Sequence, residues 1–209
     1  MPSLCIVSDT HRKHREVTIP HCDILIHCGD FCSFQRAEIP TLDDADSWFA
    51  ESPANQVVCI GGNHDFALQH REFEFSHARF LEDELVEIDG LRIYGTPWCP
   101  YLSGFAYYAT SDELLEHWKQ IPSGIDIPIT HTPPFGLLDL PTSGTINLGC
   151  PHLREELKRI RPRLHVFGHV HASHGILETS GTLYINAAIV GGPDFDVRHR
   201  PTTIKVDSH

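Results

Sequence analysis

The pentapeptide Gly61-Gly62-Asn63-His64-Asp65 sets an amide, an imidazole and a carboxylate in consecutive positions. It follows Gln56-Val57-Val58-Cys59-Ile60, an apolar, β-branched run with the length and composition of a buried strand. Two glycines allow a sharp turn there, with positive φ open to both at no steric cost. Polar groups at the end of a buried strand lie where open α/β sheets bind ligands. In that place Asn63 offers a neutral oxygen ligand, His64 a proton donor, and Asp65 a carboxylate able to orient His64. The same residue types are common in solvated turns, so this stretch alone leaves both readings open.

Four further predicted strand ends repeat the pattern. Asp9 and His11 follow Leu4 to Val7, Asp30 follows Asp23 to His27, His131 follows Ile125 to Thr130, and His169 and His171 follow Leu164 to Phe167. With His64, five of the sixteen histidines fall in these motifs. In Asp9-Thr10-His11 and His169-Val170-His171, side chains two apart point the same way if the backbone is extended. The candidate ligands are Asp9, His11, Asp30, Asn63, His131, His169 and His171. One zinc takes four ligands, and a structural site favours cysteine. Seven nitrogen and oxygen donors without a thiolate point to two metal ions about 3.5–4 Å apart that share a carboxylate.

These groups need a scaffold that brings distant strand ends to one rim. A helix is predicted over Thr41 to Glu51, with Thr41 as N-cap, Asp43 and Asp44 in the first turn, and Trp48 and Phe49 facing inward. Leu85 to Ile88 and Leu91 to Tyr94 flank Asp89-Gly90, a strong hairpin signal. Thr110-Ser111-Asp112-Glu113 is a capping box that opens a helix to about Gln120. Pro151 suits the first position of a helix running to about Arg161. Ile176 to Glu178 and Leu183 to Asn186 form a second hairpin about Ser180-Gly181, and Thr202 to Val206 is a final strand. Mixing βα units with hairpins implies an α/β fold, a two-sheet β-sandwich of mixed strands flanked by helices. The expected organisation is a single domain over residues 1–209.

Composition narrows the classes. Hydrophobic content of 41% and charged content of 21% are globular values. No run of eighteen or more apolar residues exists, which excludes a transmembrane helix. Met1 to Val7 lacks the basic and long apolar regions of a signal peptide, so a cytoplasmic location is expected. Seven cysteines form no Cys-x-x-Cys pair and are expected as free thiols, Cys5 and Cys59 as small core residues. The formal charge of −12, with no obvious basic groove, argues against a nucleic-acid partner. Bound cations would offset part of that acidity.

Taken together, Asp9-x-His11, Gly29-Asp30, Gly62-Asn63-His64-Asp65, His131 and Gly168-His169-x-His171 resemble, in order and spacing, the calcineurin-like metallophosphoesterases. Ser8-Asp9-Thr10-His11, Ile26-His27-Cys28-Gly29-Asp30, His131-Thr132-Pro133-Pro134, Gly149-Cys150 and His165 to His171 resemble the small metallophosphoesterase-domain-containing branch. The likeness spans Asp9 to His171. One departure is Phe31-Cys32-Ser33-Phe34, where many members carry a further acidic or asparagine residue after the Gly-Asp pair. The resemblance implies a first ion on Asp9, His11, Asp30 and His171, and a second on Asp30, Asn63, His131 and His169. It implies Asp30 as the bridge, together with a water acidified to hydroxide that attacks phosphorus. His64 would then protonate the leaving alkoxide, with Asp65 orienting its ring. Mn²⁺ is the ion the family implies; Fe and Zn²⁺ also suit these donors.

The expected activity is that of a phosphodiesterase acting on small nucleotide-like esters. The alternatives are a phosphomonoesterase or protein phosphatase, or a non-catalytic metal-binding interaction module. Loops must supply the substrate pocket. Trp98, Tyr101, Phe105 and Phe135 are candidates for an aromatic wall, though each is equally suited to core packing. Arg12 and His174 are candidates for a phosphate contact. Oligomeric state is not legible.

Overall fold

Leu4, Cys5, Ile6 and Val7 are all buried, without alternation, as a strand covered on both faces must be. They belong to β1 (Ser3–Val7), in a computed structural model that describes residues 1–33 and 38–206. In chain order there follow β2 (Cys22–His27), α1 (Glu38–Glu51), β3 (Ala54–Cys59), a four-residue α2 (Phe66–Gln69) and β4 (Arg79–Phe80). Next come β5 (Glu84–Ile88), β6 (Leu91–Thr96), α3 (Ser111–Lys119), β7 (Ile127–Thr130), α4 (Pro151–Ile160) and β8 (Leu164–Phe167). The chain then adds β9 (Gly175–Thr179), β10 (Thr182–Asn186), β11 (Val190–Gly191), β12 (Asp196–Val197) and β13 (Thr202–Lys205).

Two sheets face each other. One has the order β13-β1-β2-β3-β4 and the other β5-β6-β7-β8-β10-β9. Ile6, Ile26 and Val58 of the first join Ile93, Ile129, Val166 and Ile185 of the second in one buried cluster between them. Outside the first sheet, Leu42, Trp48 and Phe49 of α1 pack against Cys5 and Leu25. Outside the second, Leu114 and Trp118 of α3 and Leu153 and Leu157 of α4 pack against Tyr94, Phe167 and Tyr184. The layers therefore run helix, sheet, sheet, helix, as the mixed pattern of elements requires.

Parallel pairing directs the chemistry. β1, β2 and β3 run parallel in one sheet, and β6, β7, β8 and β10 run parallel in the other. The carboxyl ends of each set thus emerge together. Cross-sheet bonding joins the two edges: Ile189 donates its N–H to the Ser8 carbonyl at 2.9 Å, and Ser8 bridges Ala188.

The two expected hairpins form, with Asp89-Gly90 and Ser180-Gly181 both at positive φ, as two-residue turns of the primed type require. Thr110 caps α3 with the reciprocal Glu113 bond expected of a capping box. The first helix differs from expectation. The chain is already helical at Glu38, so Thr41 is a buried helical residue rather than the N-cap. α2, β4, β11 and β12 are absent from the sequence reading because two to four residues show no usable period. No helix among the described residues is long and apolar enough to cross a membrane.

Candidate metal centre

Four of the loops converge through their own backbones. Asp9 donates its N–H to the Gly29 carbonyl at 2.9 Å, and His11 donates to the Asp30 carbonyl at 3.1 Å. His169 donates its N–H to both Asp9 carboxylate oxygens, at 3.1 and 2.9 Å. Gly168 donates to the His131 carbonyl at 3.1 Å. The loops after β1, β2, β7 and β8 are thus laced into one rim, and the loop after β3 joins them through Asn63.

The local backbone is unlike the extended geometry expected for Asp-x-His. Asp9, His11, Asp30 and His169 have φ of +53°, +41°, +60° and +68°. This left-handed region is uncommon outside glycine, though Asp, Asn and His are enriched in it. It costs on the order of 1–3 kcal/mol per residue. Gly61 and Gly62 are also not where positive φ is used. They are needed for close approach: a Cβ on Gly62 would lie 2.3 Å from Asp30 Oδ1, and one on Gly61 would lie 2.4 Å from Tyr107 Cε2.

Side chains fill the space so enclosed. His11 Nδ1 and His131 Nδ1 lie 2.7 and 2.8 Å from the carbonyl oxygens of Cys32 and Cys28. A ring that donates from Nδ1 to a carbonyl turns its Nε2 inward. The two Nε2 atoms lie 3.6 and 3.4 Å from the same oxygen, Asp30 Oδ2. His131 Nε2 is also 3.0 Å from Asn63 Oδ1, and His169 Nδ1 reaches that oxygen at 2.8 Å. His171 Nε2 lies 3.2 Å from both Asp9 Oδ1 and His11 Nε2.

With neutral imidazoles, this arrangement turns lone pairs toward lone pairs. Positive charge must sit among them, and in the metal-free chain protons supply it. Burial lowers the pKa of His131, but the carboxylates of Asp30 and Asp9 outweigh it and raise the ring to about 9. Burial would raise Asp30, yet His131 and His11 hold it well below the usual carboxylate range. Asp9 is held down in the same way by His171. A cation that replaced those protons would meet a donor set of imidazole, carboxylate and amide oxygen, which fits Mn²⁺, Fe or Zn²⁺. The groups with ligand atoms mutually within 4.8 Å include Asp9–His11–His171, Asp9–Asp30–His131, His11–Asp30–His64 and Cys99–His131–His169. Asp30 Oδ2, shared between His11 and His131, stands where one carboxylate could serve two ions.

His64 sits at the mouth, with Nε2 4.0 Å from Asp30 Oδ2 and the ring edge-on to Phe105 at 5.4 Å. Asp65, next in the chain, is engaged by backbone donors. Its Oδ2 accepts the N–H groups of Asp30, Phe31 and Gly62 at 2.8, 3.4 and 2.9 Å, and Oδ1 accepts that of Cys32 at 2.9 Å. It anchors the loop carrying Asp30. Phe31 and Cys32, in the stretch that departs from the family pattern, are among its backbone partners; Phe34 lies outside the described residues.

The substrate candidates fare unevenly. Arg12, exposed next to His11, has φ of +71° and donates its N–H to the Phe31 carbonyl at 2.8 Å. The Trp98 indole donates to Asp83 at 2.8 Å and stacks on His117 at 4.0 Å. Tyr101 is 66% exposed and borders a cavity of about 210 Å³ with Tyr108, Ser111 and His152. Phe135 is exposed. His174 stacks on His199 at 4.0 Å and donates its backbone N–H to the His171 carbonyl at 3.4 Å. Phe195, absent from the sequence reading, lies edge-on to His11 at 4.7 Å and His171 at 5.3 Å. Its only local sign is the Gly191-Gly192-Pro193-Asp194 turn before it. All seven cysteines are free and buried.

The profile of the family described as calcineurin-like phosphoesterase matches residues 3–173. UPF0046 protein K07C11.7 of Caenorhabditis elegans is 35% identical over 202 residues, covering 87% of this chain and 68% of its own length. Human metallophosphoesterase domain-containing protein 1 is 32% identical over 213 residues, covering 88% of this chain and 64% of its own length. This chain therefore spans about two-thirds of each relative. The crystal structure of TT1561 of Thermus thermophilus has a TM-score of 0.57 at 12% identity, covering 88% of both chains. At that identity the likeness concerns fold.

Proposed function

The chain belongs to the calcineurin-like phosphoesterase family, and we propose that it is a two-metal phosphodiesterase acting on small nucleotide-like esters. The observation that carries this is Asp30 Oδ2, set between inward-turned nitrogens of His11 and His131. Asp9, His11, Asp30 and His171 would hold one ion, and Asp30, Asn63, His131 and His169 the other, with Mn²⁺ the first candidate. When bound, the pair would polarise the phosphoryl oxygens and acidify water, the chemistry that ester hydrolysis needs.

The protein's own groups do the rest. His64 Nε2, at the mouth, gives its proton to the alkoxide as the ester bond breaks. Asp65 holds the Asp30 loop in place through four backbone N–H groups. Phe105 and Phe195 border the opening beside His64 and His171, where they would exclude water and face an aryl or nucleobase group.

The rim favours a diester. With two ions bound, their charge would exceed that of Asp9 and Asp30, so charge does not separate the two substrate classes. A diester differs by its second ester group, which Phe105 and Phe195 would face beside His64 and His171.

The test is turnover of aryl phosphodiesters and monoesters by Mn²⁺-loaded protein. Diester hydrolysis at least roughly tenfold faster is expected. Faster monoester hydrolysis would reverse the substrate assignment. No turnover on either by protein carrying two ions would leave a metal-binding interaction module.

A further inference from the structure

Cys99 lies at the same rim and has no part in the scheme above. It follows β6, which runs parallel to β7, so its loop emerges beside His131. Its Sγ is in a group with the ring nitrogens of His131 and His169, all ligand atoms within 4.8 Å of one another. The residue is fully buried.

Its position is fixed from several sides. The Cys99 N–H donates to the Tyr107 carbonyl at 2.8 Å, and its carbonyl accepts from Ala109 at 3.1 Å. Pro97 and Pro100 stiffen the loop on either side. The Trp98 anchor on Asp83 and His117 holds it from outside. The thiol itself donates to the Pro97 carbonyl at 3.4 Å, and a thiol is a weak donor that a metal can displace. A soft donor is thus held next to two histidines, at the ion position where the family scheme uses only nitrogen and oxygen.

We propose that Cys99 supplies a sulfur donor to the ion held by His131 and His169, and that this position selects a thiophilic divalent cation over Mn²⁺. The inference rests on the two-ion reading of the site. Binding exchanges the thiol proton for the metal, Cys–SH plus M²⁺ giving Cys–S–M⁺ plus a proton released to solvent. Thiolate ligation favours Zn²⁺ or Co²⁺ over Mn²⁺, because soft sulfur suits the more polarisable ions. The Asp9, His11 and His171 position contains no sulfur and has no such preference. The two positions would therefore differ in metal, a soft ion beside Cys99 and a hard one beside Asp9.

The experiment is optical titration of the metal-free chain with Co²⁺, with bound metal counted by mass spectrometry. The wild-type protein should take up two ions and develop a near-ultraviolet thiolate-to-cobalt charge-transfer band. Cys99→Ser should keep the two ions and lose the band. In competition between Zn²⁺ and Mn²⁺, the variant should lose Zn²⁺ preference by about tenfold at one position. Two cobalt ions bound to wild type without the band would overturn the role of Cys99 and leave the phosphoesterase reading standing. A band that persists in Cys99→Ser would overturn it equally. Failure of wild type to bind cobalt at all would overturn both. The wild-type spectrum decides the matter even if Cys99→Ser does not fold.

Discussion

The backbone N–H of Asp30 donates to Asp65 Oδ2 at 2.8 Å, so the carboxylate at the centre of the site is held from behind by a second carboxylate. Asp65 is fully buried; burial and the neighbouring Asp30 push its pKa up to about 7, against the N–H bonds from Cys32 and Gly62. Asp65→Asn puts an amide NH₂ among backbone donors and loosens the loop. Metal affinity should fall roughly 10- to 100-fold, the usual cost of losing a ligand's support. Calorimetric titration with Mn²⁺ checks this, and unchanged affinity would reject the anchoring role.

His64 is expected to act on the leaving group rather than on the ions. His64→Ala should retain two ions per chain while kcat on aryl diesters falls by about 10²- to 10⁴-fold. Metal analysis of the same preparation used for kinetics separates the cases. Loss of metal in step with activity would make His64 a ligand.

Gly168 leaves space for Asp9. A Cβ there would lie 2.0 Å from both Asp9 Oδ2 and Ser8 Oγ. Real Cβ contacts are never so short, so Gly168→Ala must displace the Asp9 carboxylate. The ion position built on Asp9, His11 and His171 should be lost first, with bound metal dropping from two equivalents toward one. Two tightly held ions in Gly168→Ala would contradict the assignment of Asp9.

His165 makes the fold sensitive to acid. It is fully buried; its Nε2 lies 2.9 Å from Thr130 Oγ1, and Nδ1 has no partner, as a neutral ring allows. Burial pushes its pKa down to about 3 from 6.5. Below 6.5 the unfolded chain binds a proton that the folded chain refuses. Its effect on stability is therefore nil above that pH and destabilising as the pH falls toward about 3, by up to about 1.4 kcal/mol per unit. His27, also lowered to about 3 by burial, acts in the same sense. Urea unfolding of the metal-free protein should show a smaller loss between about pH 7 and pH 5 for His165→Leu than for wild type, by about 2 kcal/mol at most. An identical loss in both would place the titration elsewhere.

Much of this was legible in the chain. Runs such as Leu4 to Val7 and Leu164 to Phe167 are apolar because both faces are covered, and that uniformity marks where each strand ends and a ligand loop begins. The start of the first helix is less legible. Thr41, with Asp43 and Asp44 just after it, carries a strong local capping signal, whereas the chain is already helical at Glu38, whose carboxylate accepts the distant Ala67 N–H at 2.7 Å. The Asp-x-His steps read as extended, since alternation is the only geometry a dipeptide pattern encodes. Their left-handed φ accompanies bonds to the Gly29 and Asp30 carbonyls, on a different loop of the sheet. The task of Asp65 is hidden for the same reason: its partners are backbone amides, and those leave no mark on side-chain identity. Phe195 and Cys99 reach the rim through β11 and β6, whose neighbours only the completed sheets define.

The donors divide between the sheets, with Asp9, His11, Asp30 and Asn63 on loops of one and His131, His169 and His171 on loops of the other. During synthesis, neither proposed set can close before the ribosome has released residues 169 and 171. Closure of either proposed set would then wait on the docking of the two sheets, however early the first four donors emerge.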